Sequence, residues 1–85
     1  MNEETVAHEV RLLQEWVVKL GARDAASGHY VCTFASLYDA TVDIFEALGG
    51  TLKAAKKRGI VTYSAPILLK GAHDKVQIEL LIEPA

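Results

Sequence analysis

Between Glu3 and Leu20 the apolar side chains Val6, Val10, Leu13, Val17 and Leu20 recur at intervals of three and four. At the helical advance of roughly 100° per residue they share one side, so the spacing predicts a first helix. Asn2 stands where a first-turn cap is needed, Glu3 and Glu4 complement the positive end of the dipole, and Gly21 offers a left-handed stop. Residues 22–28 read as a loop closing on Ser27-Gly28, and His29–Thr33 as a brief strand whose shortness predicts a sheet edge. Thr33 or Ser36 then caps a short second helix carrying Phe34, Leu37 and Tyr38, and Asp39 or Thr41 caps a longer third helix. In that third helix Ile44, Leu48, Leu52 and Ala55 form the expected buried stripe, while Glu46, Gly50, Lys53 and Lys57 fall on the exposed side. Gly49-Gly50 costs about 1 kcal/mol per residue relative to alanine in a helix interior, so the pair suits close packing or a kink; Gly59 ends the helix.

Beyond Gly59 the period changes to two. Ile60–Tyr63 reads as a strand, Ser64-Ala65-Pro66 as a turn, Ile67-Leu68-Leu69 as a further extended run, and Gly71–Asp74 as a loop. The last segment alternates, with Val76, Ile78, Leu80 and Ile82 inward, Gln77, Glu79 and Glu83 outward, and Leu81 out of pattern. The resulting order, α-β-α-α-β-β, predicts an α+β domain of the winged helix-turn-helix kind, three helices closed by a small antiparallel sheet.

Length makes this one domain, residues 1–85, and the 51% apolar and 24% charged fractions are those of a globular chain. Cys32 is the lone cysteine, which excludes an intramolecular disulfide and favours a reducing compartment. The opening Met1-Asn2-Glu3-Glu4 lacks the pattern of a signal peptide, and no apolar run nears the roughly 18–20 residues that span a bilayer, so a cytoplasmic protein without a membrane partner is expected. The net charge of −2 conceals an asymmetry: residues 1–50 hold eight acidic and three basic side chains, residues 51–85 three acidic and six basic. Overall acidity disfavours indiscriminate phosphate binding.

The sharpest chemical feature is Lys53-Ala54-Ala55-Lys56-Lys57-Arg58, four cations in six residues at the end of the third helix. Such residues stabilise a helix C-terminus through the dipole, and they also make an electrostatic patch able to steer an acidic partner. A winged helix would place its third helix in the major groove, which makes a nucleic-acid-binding protein the alternative reading. Against it, the reading half of that helix shows Asp43 and Glu46, and the wing from Ser64 to Asp74 adds only Lys70. No nucleic-acid partner is expected. His73-Asp74 resembles the start of a catalytic pair, and Ser36, Ser64, His29 and Cys32 are nucleophilic or basic, but none shows a recognisable catalytic spacing. Ordering of the loop before the last strand is the expected role of His73 and Asp74. His8, His29 and His73 are too dispersed for a zinc motif, and no cofactor motif is present. Trp16, beside the first stripe, reads as core edge; Tyr63, following the basic run, reads as core or as an aromatic anchor.

Phe45-Glu46-Ala47-Leu48, Gly50–Arg58, Ile60–Tyr63, Leu68-Leu69, Gly71 and His73-Asp74 together resemble the signature of the Costars family. Weaker likeness extends to His8-Glu9-Val10, Leu12-Leu13, Leu20-Gly21, Thr33-Phe34 and Leu37, and departures fall at Gly49 and at Ser64-Ala65-Pro66-Ile67. The family includes small free-standing proteins and the C-terminal domain of the striated-muscle activator of Rho signalling. The resemblance implies a winged-helix-like, non-catalytic module of the cytoplasm and cytoskeleton, linked to Rho signalling in the muscle protein. It would associate with actin filaments or with actin regulators such as cofilin, and a monomer is expected. Lys53, Lys56, Lys57, Arg58, Tyr63, His73 and Asp74 are the candidate partner-binding residues.

Overall fold

The computed structural model describes residues 3–45 and 47–84. The expected cap Asn2 and the expected surface carboxylate Glu46 lie outside the described residues. Helix α1 runs Glu3–Leu20 and buries Val10, Leu13 and Val17 as its spacing predicts. Gln14 is buried among them, its Nε2 donating to the Ile82 carbonyl at 2.8 Å and so tying the C-terminal segment to the helix. Gly21 follows, with a different purpose from the one expected. Its φ is not positive, but a Cβ there would lie 2.7 Å from the carbonyl oxygens of both Val17 and Val31, so only glycine lets helix and sheet close on each other.

The segment expected as a loop begins with a strand, β1, Ala22–Arg23, which pairs antiparallel with β2, Tyr30–Thr33. Strand β2 pairs on its other side with β4, Gln77–Leu80, and β4 pairs with β3, Val61–Thr62. The sheet order is β1-β2-β4-β3, so β2 is an inner strand and not an edge. Shortness misled here because β1, two residues long, is itself enough to cover one side of β2.

Helix α2, Phe34–Thr41, begins at the Thr33 cap, whose Oγ1 accepts from the Ser36 amide at 3.2 Å. Helix α3 is shorter than expected, Leu48–Lys57, and starts from Ala47 with no side-chain cap. Neither Asp39 nor Thr41 caps it: the Thr41 hydroxyl donates back to the Leu37 carbonyl at 2.6 Å, and the chain turns at 42–44 before α3 begins. The turn resets the helical phase. Ile44 is 48% exposed, and Phe45 takes the core position instead at 7%. Leu48, Leu52 and Ala55 are buried as predicted, joined by Thr51, whose hydroxyl donates to Glu9 Oε2 at 2.8 Å and bridges α3 to α1. Gly59 leaves the helix at φ +73°, the left-handed stop expected of it.

Ile67-Leu68-Leu69 forms no strand, and Ile67 and Leu69 are 58% and 52% exposed. Pro66 has no N–H to give, and the Leu69 amide donates to His73 Nδ1 at 3.0 Å rather than to a neighbouring strand. In β4 Ile78 and Leu80 point inward as the alternation requires. Ile82 does not, because the Leu81 and Ile82 amides both turn onto the Ile60 carbonyl, at 2.8 and 3.3 Å, and leave the ladder. The described residues thus form three helices and a four-stranded antiparallel sheet, an α+β fold, with the core where α1 packs between α3 and the sheet.

Candidate partner-binding face

The four cations of α3 and its C-cap do different things. Lys56 sits across the turn that follows β3: its Nζ donates to the Tyr63 carbonyl at 2.8 Å, lies 3.5 Å from the Ala65 carbonyl, and stands 4.3 Å from the centroid of the Tyr63 ring. A cation held over a ring and bonded to backbone carbonyls is a structural clamp. Arg58 pairs through Nη2 with Glu3 Oε1 at 2.6 Å, joining the end of α3 to the start of α1. Lys53 and Lys57, one helical turn apart, are exposed and have no hydrogen-bond or ion-pair partner among the described residues. The free charge of the patch is therefore this pair.

Tyr63 is only 8% exposed, and burial holds its phenol above the ordinary tyrosine pKa. It is a floor and not a protruding anchor. On one side of it lies a groove of about 280 Å³ lined by Gly49, Gly50, Lys53, Pro66, Ile67 and Leu68. Tyr63 also borders a larger, more open depression whose lining includes Thr62, His73 and Lys75. His73 Nδ1 accepts from the Leu69 amide, while Asp74 Oδ1 accepts from the Gly71 amide at 2.6 Å and Oδ2 from Lys70 Nζ at 3.2 Å. The Gly71 amide first, and the lysine second, hold the Asp74 carboxyl below the usual carboxylate range. Both residues thus order the loop before β4, the role expected of them. The Asp74 carbonyl also accepts from the Ala35 amide at 3.1 Å, fastening that loop to the start of α2.

The structure therefore brings Lys53, Lys56 and Tyr63 together and sets Lys57 one turn beyond, whereas Asp74 belongs to a separate turn. Sequence reasoning missed the groove walls, since Pro66, Ile67 and Leu68 carry no signal of a concave surface; the Gly49-Gly50 pair was the one visible hint. It also missed the side-chain contact of His29 Nδ1 with Glu79 Oε2, at 2.5 Å, which a fifty-residue separation conceals. Cys32 is buried and burial pushes its thiol up to about 11, away from nucleophilic use. Among the described residues no three His, Cys, Asp or Glu side chains converge, and no helix is long and apolar enough to cross a membrane.

A protein-family model, Costars, matches residues 5–81. The chain belongs to the Costars family. It is 50% identical over 78 residues to the Costars family protein ABRACL of Bos taurus, covering 89% of this chain and 95% of that one. Protein costars of Dictyostelium discoideum is 47% identical over 78 residues, covering 89% and 94%. The solution structure of human HSPC280 protein superposes with a TM-score of 0.82 at 48% identity, across 98% of this chain and 95% of that one. The Costars match spans α1 through β4, so the basic end of α3 and the groove beside it both lie within the matched length.

Proposed function

We propose that this Costars protein is a non-catalytic regulator of the actin cytoskeleton that docks onto actin filaments, or onto a regulator of them such as cofilin, through the basic end of α3. The observation that carries this reading is the exposed pair Lys53 and Lys57, which have no partner among the described residues, while the other two cations of α3 and its C-cap are engaged within the fold. Exposed charge of one sign steers an acidic partner and sets its orientation, and it does so with strong dependence on ionic strength. Membership of the Costars family supports actin as the context, and the cytoplasm as the place of action. The nucleic-acid reading draws less support. Before Lys53 the reading half of α3 offers Leu48, Gly49, Gly50, Thr51 and Leu52, with no cation to meet a phosphate.

The test is co-sedimentation with filamentous actin, with and without cofilin, at low and physiological salt. The expected result is pelleting that falls as salt rises and that weakens about tenfold or more in the Lys53→Glu/Lys57→Glu double variant. Lys56→Glu is unsuited to this test because it also breaks the clamp on Tyr63. Pelleting indifferent to the double reversal would remove the patch from the mechanism, and saturable anisotropy with duplex DNA at physiological salt would restore the alternative.

A further inference from the structure

Two adjacent glycines open α3, and the fold itself has no use for them. Neither Gly49 nor Gly50 adopts a positive φ. A Cβ built on Gly49 meets nothing within 4 Å, and one on Gly50 meets only the Ala47 Cβ at 3.8 Å, an ordinary contact. Glycine nevertheless weakens a helix relative to alanine at each position. Their absent side chains do leave one thing, the groove between α3 and the 66–68 segment, of which both glycines form one wall.

The opposite wall is Pro66, Ile67 and Leu68, with Ile67 among the most exposed large apolar side chains of the described residues. Tyr63 forms the floor, rigidly placed by Lys56 above its ring. Lys53 stands on the rim, its charge unpaired among the described residues, and Lys57 continues the same stripe. The volume, about 280 Å³, lies at the foot of the roughly 300–1,000 Å³ range of small-molecule sites, room for one or two large side chains.

From this we infer that the groove is a peptide-docking site for an acidic partner segment, which inserts a large apolar side chain between Gly49-Gly50 and Ile67 while its flanking Asp or Glu residues meet Lys53 and Lys57. The inference rests on the docking reading above for the face that is used, and it adds the anchor: charge brings the partner in, and the apolar insertion against bare helix backbone holds it. The unpaired cations select an acidic segment, since a neutral or basic one leaves Lys53 unanswered at the rim.

The experiment needs no actin. Random short peptides displayed on phage are panned against the full chain, and enriched sequences are titrated as labelled peptides by fluorescence anisotropy. Two glycine variants accompany the parent: Gly49→Leu/Gly50→Leu fills the groove, and Gly49→Ala/Gly50→Ala adds only methyl groups. Both should melt at or above the parent temperature, since both raise helix propensity into open space. The expected outcome is enrichment of peptides with a large apolar residue flanked by Asp or Glu. Their affinity should fall about tenfold in the leucine variant and in Lys53→Glu, and less than about threefold in the alanine variant.

No enrichment, enriched peptides lacking either feature, or undiminished binding to the leucine variant would each overturn the inference. So would a dimer of the parent chain that the leucine variant dissociates, because the occupant would then be a second copy. Actin pelleting separates the two proposals. If it is lost in Lys53→Glu/Lys57→Glu but kept in the leucine variant, the charge reading stands and the groove falls. Groove-dependent peptides without actin pelleting under any condition leave the groove standing and remove actin as the partner.

Discussion

Lys53, Lys56, Lys57 and Arg58 look equivalent as letters, and each is exposed in the fold, yet two of them are engaged internally. What separates them is direction. Lys56 leaves α3 toward β3 and finds two carbonyls and a ring, Arg58 leaves toward α1 and finds Glu3, and Lys53 and Lys57 leave toward solvent. Asp74 shows the same dependence on surroundings, because its carboxylate is fixed by the Gly71 amide and Lys70. Its folded-state pKa is lowered, so the stability it contributes is present above the unfolded carboxylate value of roughly pH 4 and is lost as pH falls through the lower folded value. Asp74→Asn is therefore expected to lower Tm at pH 7 and to melt with the parent once both are well below that window. A deficit in Tm that persists unchanged in acid would assign the effect to lost shape and not to charge. Helical periodicity had already placed Lys53 and Lys57 outward; pairing partners fifty residues away, such as Glu3 for Arg58, leave no mark on it.

At the scale of elements, α1 and the inner face of β4 follow from their periods because each is continuous over the residues that set the phase. Helix α3 did not, since an apolar spacing that runs through Ile44, Leu48 and Leu52 is the same whether or not the chain turns between the first two. The turn at 42–44 gives Phe45 the buried place and leaves Ile44 outside. Thr51 then does what periodicity cannot show, spanning α3 and α1 by its hydroxyl bond to Glu9. Thr51→Val keeps the shape and removes that bond, and a loss of about 1 kcal/mol is expected, read as a lower urea midpoint with unchanged m. A loss of less than a few tenths of that would mean the Glu9 carboxylate is equally well served by water.

Across the whole molecule, a core of this size gives roughly 3–5 kcal/mol of net stability, so global unfolding governs access to its interior. Cys32 reports it. The thiol is buried on β2 with its pKa raised to about 11 by desolvation, so at pH 8 the folded state holds almost no thiolate, whereas unfolding exposes a cysteine of ordinary pKa near 8.5. Labelling by a disulfide reagent at pH 8 is expected to be slow, and its rate should rise in parallel with the unfolded fraction as urea is added. Rapid labelling in the absence of urea would show that β2 opens locally.

The sequence by itself determined α1 and α2, the inward face of β4, an α+β fold with a small antiparallel sheet and the stripe that carries Lys53 and Lys57, because these depend on side-chain spacing within one continuous element. It also carried enough of its relatives' pattern to announce the Costars family. Only the tertiary structure decided which strand lies inside the sheet, that Gly21 is a point of close approach, and that Ile67 stands across a groove from Gly49-Gly50. Each of those depends on two segments meeting in space, and hydrogen bonds and contacts between distant segments impose no period on either of them.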